Sequence, residues 1–246
     1  MSSALEQLDR ELRDIFGSRL LSLVEYGVRT RAARQSSAHA QGRHAAHPDA
    51  HPIHTLAIVE SLTGDDLRAC SGRVKGWHDA GLATPLVLAG HEFDRSLDAF
   101  PLEFGAILAD HTIVSGANPF ERLTVDAGDL RRAVEVQARS HLLHLREGYL
   151  ETRGRGDALA VLIVQSAPAF AALVMSLARL EGLASHDPGA AARHGEQLLG
   201  VDGVLTKIVD LVGVRDLPST EAARLFPPYF DAVQRLVQYV DHWGAR

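Results

Sequence analysis

The sequence of 246 residues contains a single cysteine, Cys70, and its formal net charge is −6. With one cysteine, no disulfide can form within the chain, which fits a reducing compartment. The negative charge argues against general nucleic-acid binding, because such binding depends on basic surfaces. The first 16 residues are charged and amphipathic, without the apolar core of a secretory signal. The single cysteine and the lack of a secretory signal together predict a cytoplasmic protein.

Several catalytic signatures are also missing from the sequence. It contains no glycine-rich phosphate loop, no GxSxG elbow and no HExxH motif. One uncharged stretch, residues 158–178, has a marginal length for a membrane span and is interrupted by Gln165 and Pro168. A helix that is apolar on all sides is usually the centre of a bundle. We therefore expect a buried helix here and no membrane partner.

Residues 29–52 contain no aliphatic side chain larger than alanine and no aromatic one. Such a stretch cannot bury enough apolar surface to offset its ordering entropy, so it predicts a mobile loop. Histidines accumulate in it and just after it: His39, His44, His47, His51 and His54. They are either ligands for zinc, nickel or copper, or part of a solvated low-complexity loop, since their spacing matches no closed zinc pattern.

The first half of the chain alternates helical and extended patterns. Apolar residues repeat at helical spacing over 3–16, and a second helix is predicted from a cap at Thr63 to about Ala80. Strands are predicted at 19–27, 53–59 and 85–90, followed by a strand pair over 100–110 and 111–116. This alternation predicts an α/β or α+β sheet domain over residues 1–120.

The second half has only helical patterns. A helix over 128–152 places an apolar stripe on one face: Leu130, Val134, Leu142, Leu145 and Tyr149. Further helices are predicted at 157–182, 189–200, 202–213 and 219–243, with Pro227 and Pro228 expected to break the last one. Residues 121–246 are therefore predicted to form a helical bundle.

Five stretches suggest a family. "LLSLVEYGVRTRA" resembles a strand and turn that normally end in Gly-Ser, and "HPIHTLAIV" resembles a next strand that normally opens with Asp-x-Asp or Asp-x-Asn. A bacterial group of nucleotidyltransferase-like proteins has stretches similar to the other three: "DRSLDAFPLEF", "HTIVSGANPFERL" and "DLRRAVEVQARSHLLHLREGYL". The chain as a whole is similar to the DNA polymerase beta-like nucleotidyltransferase superfamily, which has a sheet domain followed by helices.

This resemblance implies a site in which aspartates bridge two magnesium ions and a Gly-Ser turn holds the triphosphate. Only Gly27 is kept, because Val28 stands at the serine position and Pro52 and His54 at the acidic ones. Imidazole is a poor ligand for magnesium, which prefers oxygen. The catalytic motif is degenerate, with Glu103 as the one carboxylate that a third strand could present.

Two charged or ionisable patterns lie on the helix over 128–152. Arg131, Glu135 and Arg139 stand four residues apart, so the arginines could bind a ligand phosphate or form a solvated ladder of ion pairs. His141 and His144 stand three apart, which we attribute to helix packing.

The functional hypothesis is a catalytically inactive nucleotidyltransferase-like protein that retains a nucleotide or small-molecule site or acts as a scaffold. A homo-oligomer is compatible with this hypothesis. One alternative is an active magnesium-dependent transferase that uses Glu103 and a carboxylate such as Asp49. Another is a protein that binds zinc or a similar metal through His51 and His54.

Overall fold

A computed structural model of the chain describes residues 2–27, 52–93, 95–183 and 185–244. Residues 29–51 of the predicted mobile loop, with His39, His44, His47, Asp49 and His51, lie outside the described residues. The chain divides into two compact units, Met1–Asp126 and Ala127–Arg246, which are described separately.

The first unit is a mixed α/β structure, as the sequence predicts, built on a four-stranded sheet. Its elements in chain order are α1 (Ser3–Phe16), β1 (Leu20–Tyr26), β2 (His54–Val59), α2 (Gly64–Ser71), α3 (Val74–Asp79), β3 (Leu86–Ala89), α4 (Gly90–Phe93), α5 (Ser96–Ala99), α6 (Pro101–Ala109) and β4 (His111–Gly116).

The strand order is β3-β2-β1-β4, so β1 is an inner strand. It pairs antiparallel with both β2 and β4, while β2 and β3 are parallel. In this register Tyr26, the last residue of β1, pairs with His54 on one side and His111 on the other. The ends of three strands therefore meet beside Gly27.

Each face of the sheet has its own apolar core, because neighbouring residues of β1 point to opposite faces. Leu23 packs in a cluster with Leu8 and Leu12 of α1 and with Trp77 of α3. Val24 belongs to a second cluster: Leu56, Ile58, Phe93, Phe104, Ile107 and Phe120. The sheet is thus covered by α1 and α3 on one face and by α4 and α6 on the other.

The region predicted as one helix from Thr63 to Ala80 forms two. The Thr63 side chain caps α2 in a reciprocal arrangement with Asp66, as the cap prediction requires. The helix then ends at Ser71, and α3 begins at Val74. Gly72 lies at this break, where the low helix propensity of glycine reduces the free energy lost by interrupting the helix.

The prediction of a strand over 100–110 is wrong. This stretch forms α6, with Pro101 in its first turn, where the fixed φ of proline suits a helix start. Phe104 and Ile107, three residues apart, are both buried in the second cluster. The following stretch does form a strand, β4.

At the end of β4, Gly116 has φ +82°, and a Cβ built there would lie 2.1 Å from the carbonyl oxygen of Leu21. Only glycine can occupy this position, so β4 ends at a sterically fixed point.

The second unit contains the helices α7 (Ala127–Thr152), α8 (Gly156–Leu180), α9 (Pro188–Leu199), α10 (Val204–Val209) and α11 (Ser219–Asp241). Helix α8 packs against each of the other four, so it is the central helix of this unit. By length and composition α8 is also long and apolar enough to cross a membrane, a test that the core helices of soluble proteins pass as well, and 39% of its most apolar window is buried.

The apolar stripe of α7 is largely as predicted. Leu130, Val134, Leu142 and Leu145 are buried, and Leu145 is only 1% exposed. Tyr149 is an exception, because it is 47% exposed and stacks its ring on Phe226 of α11.

The predicted break at Pro227 and Pro228 does not occur, since α11 continues through both. Both prolines are exposed, while Phe226 and Tyr229 on either side are buried. The backbone carbonyls that lose a partner to proline therefore lie towards water, which can hydrogen-bond to them.

A chain of hydrogen bonds links three helices inside the second unit. His141 Nε2 of α7 lies 2.7 Å from the Tyr229 hydroxyl of α11, which lies 3.1 Å from Ser166 Oγ of α8. Ser166 Oγ donates to the Ile163 carbonyl at 2.9 Å. The three side chains thus form one continuous hydrogen-bonded path between the helices. Burial lowers the pKa of His141 to about 4 and raises that of Tyr229, so both are neutral near pH 7.

Candidate functional site

Two of the predicted site residues, Gly27 and His54, lie together at the end of β1. Gly27 has φ +72°, a left-handed conformation that favours glycine, and its N–H donates to the Asp110 carbonyl at 2.8 Å. His54 begins β2 directly opposite Tyr26. We call this group, Tyr26, Gly27, His54, Asp110 and His111, the β1 end.

Three ring-bearing residues form a row across the β1 end. His54, Tyr26 and His111 are paired across adjacent antiparallel strands, so their side chains share one face of the sheet. The rings of Tyr26 and His54 are stacked, with centroids 5.6 Å apart and planes 29° from parallel. The row combines two imidazoles and a phenol on one surface.

His111 is held in one tautomer. Its Nδ1 lies 3.0 Å from the Leu108 carbonyl and 3.2 Å from the Ile107 carbonyl, both at the end of α6. Carbonyl oxygens only accept, so Nδ1 carries a proton and donates to them. The ring also lies 4.5 Å from that of Phe120. Its orientation is therefore set by both the backbone and the apolar core.

Tyr26 is half-buried, and burial raises the pKa of its phenol. The hydroxyl therefore stays protonated at neutral pH and can donate a hydrogen bond. His54 is exposed at the start of its strand. Together they form a stacked ring pair with polar atoms at its edge, and a small planar ligand can extend a stack of this kind.

Glu103 does not lie where the resemblance places it. It is an exposed residue in the first turn of α6. The opposite end of this helix leads to Asp110, the residue that accepts from Gly27. At 1.5 Å per residue, seven residues separate Glu103 from Asp110 by about 10 Å along the helix axis. Glu103 therefore belongs to the far end of α6.

Two carboxylates near the β1 end were not predicted. Glu25 is half-buried and precedes Tyr26 on β1, while Asp110 is 3% exposed and precedes His111. Strand alternation directs Glu25 to the face opposite the ring row. In the sequence, the one feature that marks Asp110 is its position immediately before a predicted strand. Its position beside Gly27 follows from the pairing of β4 with β1, which the sequence alone does not show.

The predicted ligand-binding arginines lie in the second unit, on α7. Arg131 pairs with Glu135 at 3.0 Å, and Arg139 pairs with Glu135 at 3.2 Å and with Asp241 of α11 at 2.7 Å. Two guanidinium groups are thus balanced by two carboxylates. This geometry is the ladder of solvated ion pairs, one of the two alternatives for these arginines. Because the positive and negative charges balance, the ladder attracts a phosphate only weakly.

The donor set at the β1 end does not fit a magnesium pair. The positions that the resemblance assigns to aspartates hold Pro52 and His54, neither of which supplies an oxygen ligand from its side chain. Within residues 2–27, 52–93, 95–183 and 185–244, no three His, Cys, Asp or Glu side chains are grouped to hold a metal ion. Of the two predicted metal ligands, His54 is described and His51 is not.

Comparison of the chain with protein-family models and with curated proteins finds no match.

Proposed function

We propose that this chain is a nucleotidyltransferase-like protein that binds a nucleotide, or another small planar ligand, at the β1 end and does not transfer nucleotidyl groups. The observation that carries the proposal is the ring row next to Gly27. An imidazole and a phenol meet there, at the strand end where the resemblance calls for magnesium-binding carboxylates. The mixed sheet followed by helices supports the same relationship.

The loss of transfer follows from the chemistry of the reaction. Metal ions must bridge the phosphates and stabilise the charge that develops during in-line displacement. Nitrogen and phenol donors replace the oxygen ligands on the face of Tyr26 and His54, and Glu103 lies at the far end of α6. Binding without transfer remains chemically reasonable, because a base can stack on aromatic rings without any metal.

Binding can be tested with ATP, GTP, CTP and UTP, titrated in the presence of EDTA and followed by calorimetry or by chemical shifts. We expect His54→Ala and Tyr26→Ala to weaken binding by about tenfold each, since stacking on a base contributes about 1–3 kcal/mol. His144→Ala is the matched control, because His144 is an exposed histidine of the second unit. Equal binding by all three variants would refute a site at the β1 end.

Transfer is tested separately by incubating the protein with magnesium or manganese, nucleoside triphosphates and a panel of hydroxyl acceptors. We expect no pyrophosphate above a no-protein control. Release that disappears in Asp110→Asn, Glu25→Gln or Glu103→Gln would establish an active enzyme and overturn the inactive assignment. His54→Gln is the control for ligand binding, because it keeps Tyr26 and all three carboxylates. Pyrophosphate release that is lost in this variant as well would point to weaker ligand binding rather than to the loss of a catalytic carboxylate.

A further inference from the structure

Helix α7 carries a row of exposed aliphatic side chains at intervals of seven residues. Val136 is 69% exposed, Leu143 61% and Leu150 75%. Seven residues fall about 20° short of two full turns, so the three side chains form a gently twisted ridge along one side of the helix. This ridge lies on the side opposite to the buried Val134, His141 and Leu145. We call it the α7 ridge.

The two flanks of the α7 ridge carry opposite charges. At 3.6 residues per turn, Arg146 lies on one flank, and Glu147 and Glu151 lie on the other. All three side chains are exposed. Arg139 also lies on the flank of Arg146, but its charge is balanced by Glu135 and Asp241, whereas the Arg146 guanidinium lies over the Phe230 ring of α11, 5.8 Å from its centroid. The basic flank is therefore held in place on the α11 side of the ridge.

We propose that the α7 ridge is the contact surface between two copies of this chain, which pair their α7 helices in parallel and in register. Charge complementarity selects both the partner and the direction. When the two-fold axis runs along the helices, the basic flank of one copy faces the acidic flank of the other. An antiparallel pair places like flanks against each other, which is repulsive.

In the parallel pair, each ridge residue meets its own counterpart, and Leu143 forms the middle layer. The aliphatic layers supply the attraction, because they remove exposed apolar surface from water. Arg146 of each copy then lies beside Glu147 of the other, which fixes the register more than the affinity. The 26 residues of α7, about 39 Å of helix, are long enough to carry all three layers. This inference is independent of the function proposed for the β1 end.

Sedimentation velocity of the full chain over a concentration series measures the self-association. We expect a reversible monomer–dimer equilibrium that Leu143→Glu weakens by about tenfold or more, which corresponds to about 1.4 kcal/mol. Leu67→Glu is the matched control, because Leu67 is 51% exposed on α2, and this variant should dimerise like the natural chain. A chain that stays monomeric, or a Leu143→Glu variant that dimerises normally, would overturn the proposal. Unchanged circular dichroism confirms that each variant is folded.

The register is tested by charge reversal and by cysteine cross-linking. Arg146→Glu and Glu147→Arg should each weaken the dimer, and the double variant should restore it. In a Cys70→Ala background, Val136→Cys, Leu143→Cys and Leu150→Cys should each give a disulfide-linked dimer on mild oxidation. An antiparallel pair centred on Leu143 would cross-link only through Leu143→Cys, and that result would refute the parallel arrangement.

Discussion

The two units place their polar groups in opposite ways. In the sheet unit, charged residues make the key polar contacts near the surface: Arg19 holds Asp66 with two hydrogen bonds of 2.8 and 2.9 Å, and Glu11 accepts from Trp77 at 2.7 Å. In the bundle, the polar chain of His141, Tyr229 and Ser166 is internal and neutral, while the charged ladder of α7 is at the surface. The same kinds of bonds should therefore respond differently to pH and to mutation.

The unfolding of each unit can be followed separately, because each contains one of the two tryptophans. Trp77 is buried in the sheet unit, and Trp243 is half-buried in the bundle, where its indole N–H donates to Glu181 at 2.7 Å. Fluorotryptophan labelling gives one resonance for each residue without any mutation.

The largest expected effect is on the bundle core. Leu145→Ala should lower the free energy of unfolding of the bundle by about 2–5 kcal/mol, because it removes most of a fully buried leucine. Val161→Ala on α8 is the control, since Val161 is 53% exposed and should lose no more than about 0.5 kcal/mol. Urea unfolding followed at the Trp243 resonance measures both. Equal losses would mean that α7 is rotated from the position described here.

The next effect is a difference in acid stability. The pKa of His141 is about 4 in the folded protein against an ordinary value of 6.5, so between these values the unfolded state binds more protons. The bundle should keep its full stability above pH 6.5 and lose about 3 kcal/mol as the pH falls to 4, at 1.36 kcal/mol per pKa unit. His141→Gln should remove this dependence, and His144→Gln should only reduce it, because burial is the larger cause of the lowered pKa of His141 and the charge of His144 the smaller one.

The sheet unit should respond only at lower pH. The hydrogen bonds from Arg19 and then Thr63 hold the pKa of Asp66 well below its ordinary value of 3.8. This contribution is complete above pH 3.8 and is lost as the pH falls further. The Trp243 resonance should therefore report unfolding at a higher pH than the Trp77 resonance does. The reverse order would contradict the contrast between the two interiors.

A smaller effect is expected when the hydroxyl at the centre of the polar chain is removed. Tyr229→Phe leaves His141 and Ser166 without their shared partner and should cost about 1–3 kcal/mol. Tyr149→Phe is the control, because Tyr149 is 47% exposed and water can hydrogen-bond to its hydroxyl. A loss as small as the control's would show that the chain contributes little to the stability of the bundle.

The smallest effect concerns the surface ladder. Arg139→Ala should cost less than about 1 kcal/mol, because the guanidinium is 52% exposed and its ion pairs are screened by solvent. Arg19→Ala in the sheet unit should cost more, since it leaves the nearly buried carboxylate of Asp66 with one fewer charged partner. Measuring both variants at low and high salt distinguishes screened pairs from desolvated ones.

The sequence predicted the bundle better than the sheet unit, for a physical reason. Long helices such as α7 and α8 carry their apolar period over many turns, so local spacing is sufficient to place Leu142 and Leu145 in the core. The stretch that forms α6 is short and mostly apolar, so its pattern predicts a strand although Pro101 marks a helix start. The exposed side of Pro227 and Pro228 also depends on packing that spacing alone does not show.

At the β1 end, the sequence predicted the neighbourhood of Gly27 and His54 because each lies at the end of a strand. It did not predict Tyr26, Asp110 or His111 as neighbours. Those depend on the pairing of β1 with β4, two strands far apart in the chain. The expected position of Glu103 is wrong for a related reason. The stretch that carries it forms helix α6 and not the predicted strand, so its side chain lies at the far end of α6.

Gly116 has a consequence for how the sheet meets other molecules. Strand β4 lies at the end of the strand order and so offers an edge to which another extended chain could pair. The close approach of the Leu21 carbonyl ends this edge after six residues, and Gly116 leaves the sheet with a left-handed conformation. Short, interrupted edges are poor templates for aggregation. A single glycine thus limits the growth of the sheet beyond its own chain.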